Sequence, residues 1–441
     1  MQQANLLSKL FINVIGLVFL ATTSVAVAQS GKFIGWGLNS LGQCDRPSTL
    51  TACTQVAAGI DFSMALQENG TVIVWGRSGF GQINNIANCK FIAAGGYSSA
   101  AIQTDGTVVI GGYNNYGQAV VPASLGPCKA IALGYQHTVA IQTNGTVVAW
   151  GQNEYLQCNV PVNLGPCLAV AAAGMGALGG IGNSAALKED GTIAVWGSNN
   201  YGVRNVPTNI GICKAISMGL DFMVTLKVNG TAVTWGRNDF GQQNIPANLG
   251  PCKAIAAGSY GVAALKENGT VVSWGDNTFG QTTTPTELQG SCIAISQGQY
   301  TVVAIQEPPI TITGVLPVSG PSTGGTLITI NGTNFKSSTT ITIGGSPATD
   351  IVIVSPTKIT AVTPAGTPGM AIVATEWSSA EAFYYRPTCG SDIDNNGVVD
   401  SADLGIVLLD FGNCSESLTT PQLEPMIFQT AEPATPVLNK K

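Results

Sequence analysis

Seven cysteines, at positions 53, 89, 128, 167, 213, 252 and 292, recur at spacings of 36, 39, 39, 46, 39 and 40 residues. Each opens a small apolar segment ending in Gly and a second apolar segment, followed in six copies by an Asn-Gly-Thr or Asp-Gly-Thr step and in five of those by a Trp-Gly step. The unit starting at Cys128 reads Cys128-Lys129-Ala130-Ile131-Ala132-Leu133-Gly134, then His137-Thr138-Val139-Ala140-Ile141, then Asn144-Gly145-Thr146-Val147-Val148-Ala149-Trp150-Gly151. The Trp-Gly step recurs at Trp36, Trp75, Trp150, Trp196, Trp235 and Trp274, with Gly111-Gly112 in the seventh copy. Self-similarity at a period near 40 restricts the chain to repeat architectures before any single residue is weighed.

The units convert to strands. Asn-Gly or Asp-Gly precedes Thr at Asn69, Asp105, Asn144, Asp190, Asn229 and Asn268, a dipeptide that suits a type I′ hairpin turn. The flanking segments are β-formers of strand length, and no unit holds an amphipathic helical stretch. Four short strands per unit of about 40 residues predict a propeller blade. Small segments such as Ile-Ala-Ala-Gly suit innermost strands converging on one axis. The array begins with half a unit, Phe33-Ile34-Gly35-Trp36-Gly37, and ends with the complementary half, Cys292 to Ile305. Joining them completes a seventh blade from both ends and removes the exposed edges of an open array.

Composition narrows the function. Charged residues are 10% of 441, against about 25% in an average soluble protein. Net charge is −6 and no Lys/Arg block exists, so nucleic acid is not an expected partner. The single histidine, His137, excludes zinc sites built on two or three imidazoles. Any Ser-His-Asp or Cys-His arrangement would rest on that one residue, and the repeats show no convergent acid–base pair. The expectation is a non-enzymatic protein, with His137 a hydrogen-bonded structural residue.

At the N-terminus, Lys9 precedes an apolar run from Leu10 to Ala21, and small residues end in Ala26-Val27-Ala28. This three-part pattern predicts a signal peptide over 1–28 and a secreted or surface location. No later stretch has the ~18 apolar residues of a transmembrane helix. In an oxidising compartment disulfides persist. Cys44 and Cys158 each stand nine residues before a blade cysteine, which predicts disulfides Cys44–Cys53 and Cys158–Cys167, and Cys389–Cys414 as a third. Cys89, Cys128, Cys213, Cys252 and Cys292 are expected as buried thiols.

The pattern A-A-G…(H)-x-x-A-L…N-G-T-V-x-x-W-G-x-N…G-Q, present in seven copies over residues 33–306, resembles the regulator-of-chromosome-condensation repeat family. The resemblance implies a seven-bladed β-propeller. The family includes a nuclear guanine-nucleotide exchange factor and exported bacterial members that bind a protein with one propeller face. Export and acidity favour the second analogy.

After Pro308-Pro309 the repeat stops. Short alternating strands at Leu327–Ile330, Ile341–Ile343, Ile351–Val354 and Ala371–Ala374 predict a β-sandwich. Pro317, Gly320, Gly324-Gly325-Thr326, Thr329-Ile330 and Gly332-Thr333-Asn334-Phe335 resemble the immunoglobulin-like IPT/TIG domain. Then Asp392, Asp394, Asn396, Asp400 and Asp403 fall at positions 1, 3, 5, 9 and 12 of a calcium loop, with the Val398 carbonyl at 7 and Gly397 at 6. Leu404, Val407, Leu408 and Phe411 give the loop a short amphipathic helix. The motif resembles one half of a type I dockerin, which implies one structural Ca²⁺ and a cohesin-like partner. A true dockerin has two such loops.

The reading is an all-β chain: signal peptide 1–28, seven-bladed β-propeller 29–307, IPT/TIG-like β-sandwich 308–386, dockerin-like calcium-loop motif 387–414 and disordered tail 415–441. Slots alike in most blades are assigned to packing, including the aromatic before Gly-Gln at Phe80, Tyr116, Phe240 and Phe279. Slots that differ are free for function. Those after the inner-strand Gly supply the candidate face: Asp61, Phe62, Tyr97, Tyr135, Gln136, Asp221, Tyr260 and Tyr300. Blade 4 adds seven residues there, within Gly174–Gly182. The expected function is recognition of a protein or glycan at the propeller mouth by a monomer. The alternative is an accessory role in extracellular polysaccharide degradation through the dockerin-like motif. A nucleotide-exchange role ranks last.

Overall fold

The computed structural model describes residues 31–174, 182–288, 290–337, 339–375 and 379–386. The signal peptide, the blade 4 insertion at 175–181, the calcium loop, Cys389, Cys414 and the tail lie outside the described residues. The chain divides into two compact units, the first ending at Pro308 and the second starting at Pro309.

The first unit consists of seven three-stranded antiparallel sheets in one order around the ring. Blade 1 is Cys53–Ala58, Phe62–Gln67 and Val72–Gly76, with Cys53 opposite Gln67 and Phe62 opposite Gly76. The four strands expected per blade are three, because the segment holding the Gly-Gln step folds as turns; only an isolated Val72–Ile86 bridge stands where blade 1 would have a fourth. Blade 7 takes Cys292–Gln297 and Thr301–Gln306 from one end of the array and Lys32–Gly37 from the other. Lys32 pairs with Gln306 and Gly37 with Thr301. Gly31 then exchanges two backbone hydrogen bonds with Cys53, each 3.0 Å, tying blade 7 to blade 1.

The Trp and Gln of the repeat have one joint explanation. In each of the six Trp blades the indole N–H donates to a backbone carbonyl in the loop that leads in from the preceding blade. The acceptors are Gln281, Gln43, Gln118, Gln157, Val203 and Gln242, at 2.8–3.1 Å. Five of these loops are folded by the glutamine itself, whose Oε1 accepts the N–H two residues back: Leu41, Tyr116, Tyr155, Phe240 and Phe279, at 2.9–3.0 Å. The glutamine shapes the turn, and the turn presents a carbonyl to the next blade.

The Asn-Gly-Thr turns differ from the type I′ geometry expected. The Gly takes positive φ (Gly70 at 78°, Gly145 at 88°), but the preceding Asn or Asp does not. Gly70 N–H donates to the Gln67 carbonyl and Gln67 N–H to the Thr71 carbonyl, both at 2.9 Å, a type I turn closed by a left-handed Gly. The Asn or Asp serves through its side chain instead: Oδ1 accepts the Thr N–H two residues on in all six copies, at 2.8–3.1 Å, an Asx turn.

Each inner strand carries a β-bulge directly after its cysteine, in all seven blades. The bulge adds local twist while the cysteine stays buried between blades. Apolar side chains fill the space between neighbouring blades; Phe62, Met64, Leu66 and Val72 of blade 1 pack on Ile92 and Ala101 of blade 2.

The predicted Cys44–Cys53 and Cys158–Cys167 disulfides are absent; all four cysteines are free thiols. A Cβ on Gly35 would stand 3.0 Å from the Cys44 Cα, whereas Cys53 bridges Gly31. Four residues of strand separate these points, about 13 Å at 3.3 Å per residue, beyond the ~7 Å Cα limit for a disulfide. Each sulfur instead donates to its own carbonyl: Cys44 to Leu38, Cys53 to Gly31, Cys158 to Gln152 and Cys167 to Gly165, at 3.1–3.4 Å. Short sequence separation conceals the length of a strand traversed along the blade.

The second unit is a β-sandwich. One sheet orders Thr311–Leu316, Leu327–Thr333, Lys358–Val362 and Thr349–Ser355; the other orders Ser319–Pro321, Ser379–Arg386, Gly369–Ala374, Thr342–Ile343 and Ser346–Pro347. Its core holds Ile328, Ile330, Ile359, Val373, Phe383 and Tyr385, and the Tyr385 hydroxyl donates to the Pro364 carbonyl at 2.7 Å. The four strand segments expected are present.

Candidate functional site

The seven inner strands line an axial channel of about 330 Å³. Its wall is mostly Ala, Ile and Val, and none of its lining residues is ionisable. Neighbouring inner strands are tied by the Gln55 side chain, which donates to the Lys90 carbonyl (2.8 Å) and accepts from Ile92 N–H (3.1 Å). The Ser296 and Ser217 hydroxyls accept from Ala58 and Ala257 N–H. These bonds join neighbouring blades along the axis.

One end of the propeller gathers two sets of loops, because the middle strand starts where the outer strand ends. The loops are the inner-to-middle turns and the segments leaving the Trp-Gly step. They meet closely: a Cβ on Gly76 would lie 2.6 Å from the Asp61 carbonyl, and one on Gly236 would lie 2.5 Å from that of Asp221. Both glycines also have positive φ, so the Gly of Trp-Gly is required by space and by backbone. Asp61 and Asp221 are left-handed themselves, at φ 59° and 58°, a conformation that Asp accepts more readily than most residues. Arg77 N–H and Arg237 N–H donate to their carbonyls at 2.8 Å.

Aromatic side chains collect on this rim in two clusters. In the first, Phe80 stacks on Tyr97 (centroids 4.5 Å apart), and Tyr113 touches Phe80, Tyr116 and Tyr135 at 5.8–6.5 Å. In the second, Phe240 meets Tyr260 (4.8 Å), Tyr260 meets Tyr300 (6.2 Å), and Tyr300 meets Phe279 (4.8 Å). Arg77 lies over Phe80 and Tyr97 in the first, and Arg237 over Tyr201, Phe240 and Tyr260 in the second, at 5.0–6.0 Å. Burial raises the phenol pKa of Tyr135 and Tyr260, so both present neutral hydroxyls.

Five of the eight residues expected on this face are there and partly accessible: Asp61, Tyr97, Tyr135, Tyr260 and Tyr300. Three are buried and are corrections. Phe62 is core; its ring packs over Gly59, where a Cβ would sit 2.0 Å from the ring. Gln136 is buried at the rim, its carbonyl accepting Gln152 N–H. Asp221 is buried and accepts from Asn183 Nδ2 at 3.2 Å; desolvation raises its pKa, with the Arg237 charge opposing.

A second correction concerns the aromatic before Gly-Gln, assigned above to packing. Of the four, Phe80 is half-buried against Tyr97, whereas Tyr116, Phe240 and Phe279 are exposed, as are Leu41 and Tyr201 in the same slot, at 42 to 55%. The recurring residue with the packing role is the glutamine, buried at 43, 118, 157, 242 and 281. Arg77 and Arg237 were not foreseen. A signal existed: only blades 1 and 5 carry Arg after Trp-Gly, and only they carry Asp after the inner strand.

His137 is fully buried in the slot of Phe62, its Nε2 3.0 Å from the Ser184 hydroxyl. Desolvation pushes its pKa down to about 4, against a backbone hydrogen bond at Asn183 that raises it. The blade thiols are held protonated by burial, Cys53 and Cys128 at about 11 and Cys292 at about 12, outside the range of reactive cysteines. Among the described residues no group of three His, Cys, Asp or Glu side chains forms a metal-binding cluster, and no helix is long and apolar enough to cross a membrane.

Three-stranded blades closed by strands from both ends of the array define a β-propeller of the kind built from chromosome-condensation repeats. Residues 53–82, 128–157 and 252–281 match the family model of the Regulator of chromosome condensation (RCC1) repeat, and residues 309–378 that of the IPT/TIG domain. The chain thus carries RCC1 repeats followed by an IPT/TIG domain. Similar solved structures include Prp20p from Saccharomyces cerevisiae, at 17% identity and TM-score 0.54 over 68% of this chain and 95% of that one. Yeast RCC1 (Prp20) bound to Kap60 gives 16% and 0.52 over 68% and 92%, and human WBSCR16 gives 15% and 0.51 over 63% and 100%. At these identities the likeness is one of fold. The first is described by its binding to Gsp1p and histones. No curated protein matches the chain.

Proposed function

We propose that this chain is a secreted, non-enzymatic recognition protein that binds another protein through the loop rim of its propeller. The observation that carries the reading is the ring of exposed apolar side chains at Leu41, Tyr116, Tyr201, Phe240 and Phe279, presented at one slot of five blades. Tyrosine and arginine are enriched at the energetic centres of protein interfaces, whereas lysine is depleted there, and both rim clusters are built of Tyr, Phe and Arg. RCC1-type neighbours that bind proteins, such as Prp20p with Gsp1p and Kap60, support the use of this fold for the purpose, with no transfer of target.

The test is partner capture from the native medium by the whole chain and by the triple variant Tyr116→Ala, Phe240→Ala, Phe279→Ala. Truncating one central aromatic costs about 2 kcal/mol, or roughly 30-fold, so the triple variant is expected to lose its partner. Glu189→Ala, in the hairpin turn at the other end of blade 4, is expected to retain it. Retention by both variants contradicts the reading.

A further inference from the structure

Blades 1 and 5 repeat one constellation at a constant offset: Asp61 and Asp221, Trp75 and Trp235, Arg77 and Arg237, Phe80 and Phe240 are each 160 residues apart. No other blade has this set. In both copies the Arg Nε is directed at a carboxylate of the chain itself, Arg77 at Asp61 (3.6 Å) and Arg237 at Asp239 (2.8 Å). In both, the guanidinium carbon stands over aromatic rings, 5.5 Å from the Tyr97 centroid and 5.0 Å from that of Tyr201. Neither terminal Nη group has a hydrogen-bond partner among the described residues, and neither is a fully buried unpaired atom.

Arg237 is held at Nε by its 2.8 Å bond to Asp239 and Arg77 by an ion pair to Asp61, and a guanidinium engaged at Nε beside aromatic rings keeps its two Nη donors in a fork. That fork matches the two oxygens of a carboxylate. We propose that Arg77 and Arg237 form two receiving sites for carboxylate side chains of a protein partner, with the partner's adjacent apolar residues seated on the flanking rings. The proposal rests on the rim being a protein-recognition face and names what it recognises.

Charge decides between a protein and a uronate glycan. Carboxylates stand beside both cations: Asp61 by Arg77 and Asp239 by Arg237, and Asp221 and Asp276 both act on Tyr260, which Arg237 overlies. A polyanionic chain with a charge on every ring would set further carboxylates against these, a like-charge cost. A protein can place one acidic side chain at each fork and apolar groups elsewhere.

Saturation-transfer NMR on the full chain tests this with acetyl-Glu-Tyr-amide, its Gln counterpart and tetragalacturonate. The Glu peptide is expected to bind at two sites with Kd on the order of 1 mM, and the Gln peptide at least about tenfold more weakly. Arg77→Gln and Arg237→Gln are each expected to remove one site and the double variant both. Arg77→Lys, which keeps the charge and loses the fork, is expected to weaken its site, and unchanged circular dichroism shows the variants folded. Equal binding of Glu and Gln peptides, binding that survives the double variant, no Glu-peptide binding up to about 10 mM, or Arg-dependent capture of tetragalacturonate in its place would each overturn the proposal. If the peptide fails while the triple rim variant still loses its captured partner, the carboxylate sites are refuted and the rim reading stands.

Discussion

The indole N–H of Trp36 donates to the backbone carbonyl of Gln281 at 3.0 Å, joining residues 245 apart in sequence. It repeats the bond Trp75 makes to Gln43 across 32 residues, so the seam where the ring closes has the bonding of an ordinary blade junction. Trp36→Phe removes the donor and strands a buried carbonyl, which costs about 1–3 kcal/mol. Urea unfolding should show a loss of that size, similar to Trp75→Phe. A loss for Trp75→Phe alone would mean that the seam contributes nothing.

The thiols offer a second check. Burial, with the Asp45 charge adding to it, raises Cys44 to about 12, and Cys158 stands at about 11, so iodoacetamide at pH 8 should leave both unmodified in the native protein. After denaturation without reductant, Cys44, Cys53, Cys158 and Cys167 should all be alkylated. An intact mass lacking two carbamidomethyl groups per predicted pair would restore the disulfides.

His137 predicts a pH dependence. Its folded pKa of about 4 lies below the ~6.5 of an unfolded histidine, so the unfolded chain takes up the proton first. Stability is then full above pH 6.5 and falls as pH drops toward 4, by on the order of 3 kcal/mol. The hydrogen bonds that Thr107 and Thr192 donate hold Asp105 and Asp190 below the usual carboxylate range, and their contribution is lost only at lower pH. His137→Gln should flatten the curve between pH 7 and 4. An unchanged slope would show that the histidine is not buried neutral.

The calcium loop rests on its ligand spacing alone. Titration of the full chain with Ca²⁺ should reveal one site of extracellular-module affinity, about 10⁻⁴–10⁻³ M, abolished by Asp392→Ala together with Asp394→Ala. Unchanged binding in that variant would remove the assignment.

The blade plan was legible because seven copies state it. Cysteine, inner Gly, Asn-Gly-Thr and Trp-Gly each recur, and the half units at Phe33 and Cys292 announce the closure that pairs Gly37 with Thr301. Recurrence does not reveal which way a residue points. The aromatic and the glutamine of the Phe-Gly-Gln step recur together, yet Phe279 faces water and Gln281 is buried, because the turn needs the amide and only tolerates the ring. The variable slot misled in the opposite direction: Asp61, left-handed in the turn, reaches the rim, whereas Phe62 beside it opens the middle strand, which is buried at every position between blades. The Arg77–Phe80–Tyr97 stack joins two blades, and no pattern within one repeat contains it. The strand between Gly31 and Gly35 hid the distance that separates Cys44 from Cys53.

The rim is the surface on which the functional reading depends, and site-specific photo-crosslinking reads it directly. With benzoylphenylalanine at Tyr116 or Phe240, the chain exposed to its native medium should join covalently to one discrete protein. The same probe at Glu68 or Glu189, in the hairpin turns of the opposite end, should give none. A discrete adduct from the hairpin positions with none from the rim would contradict the account.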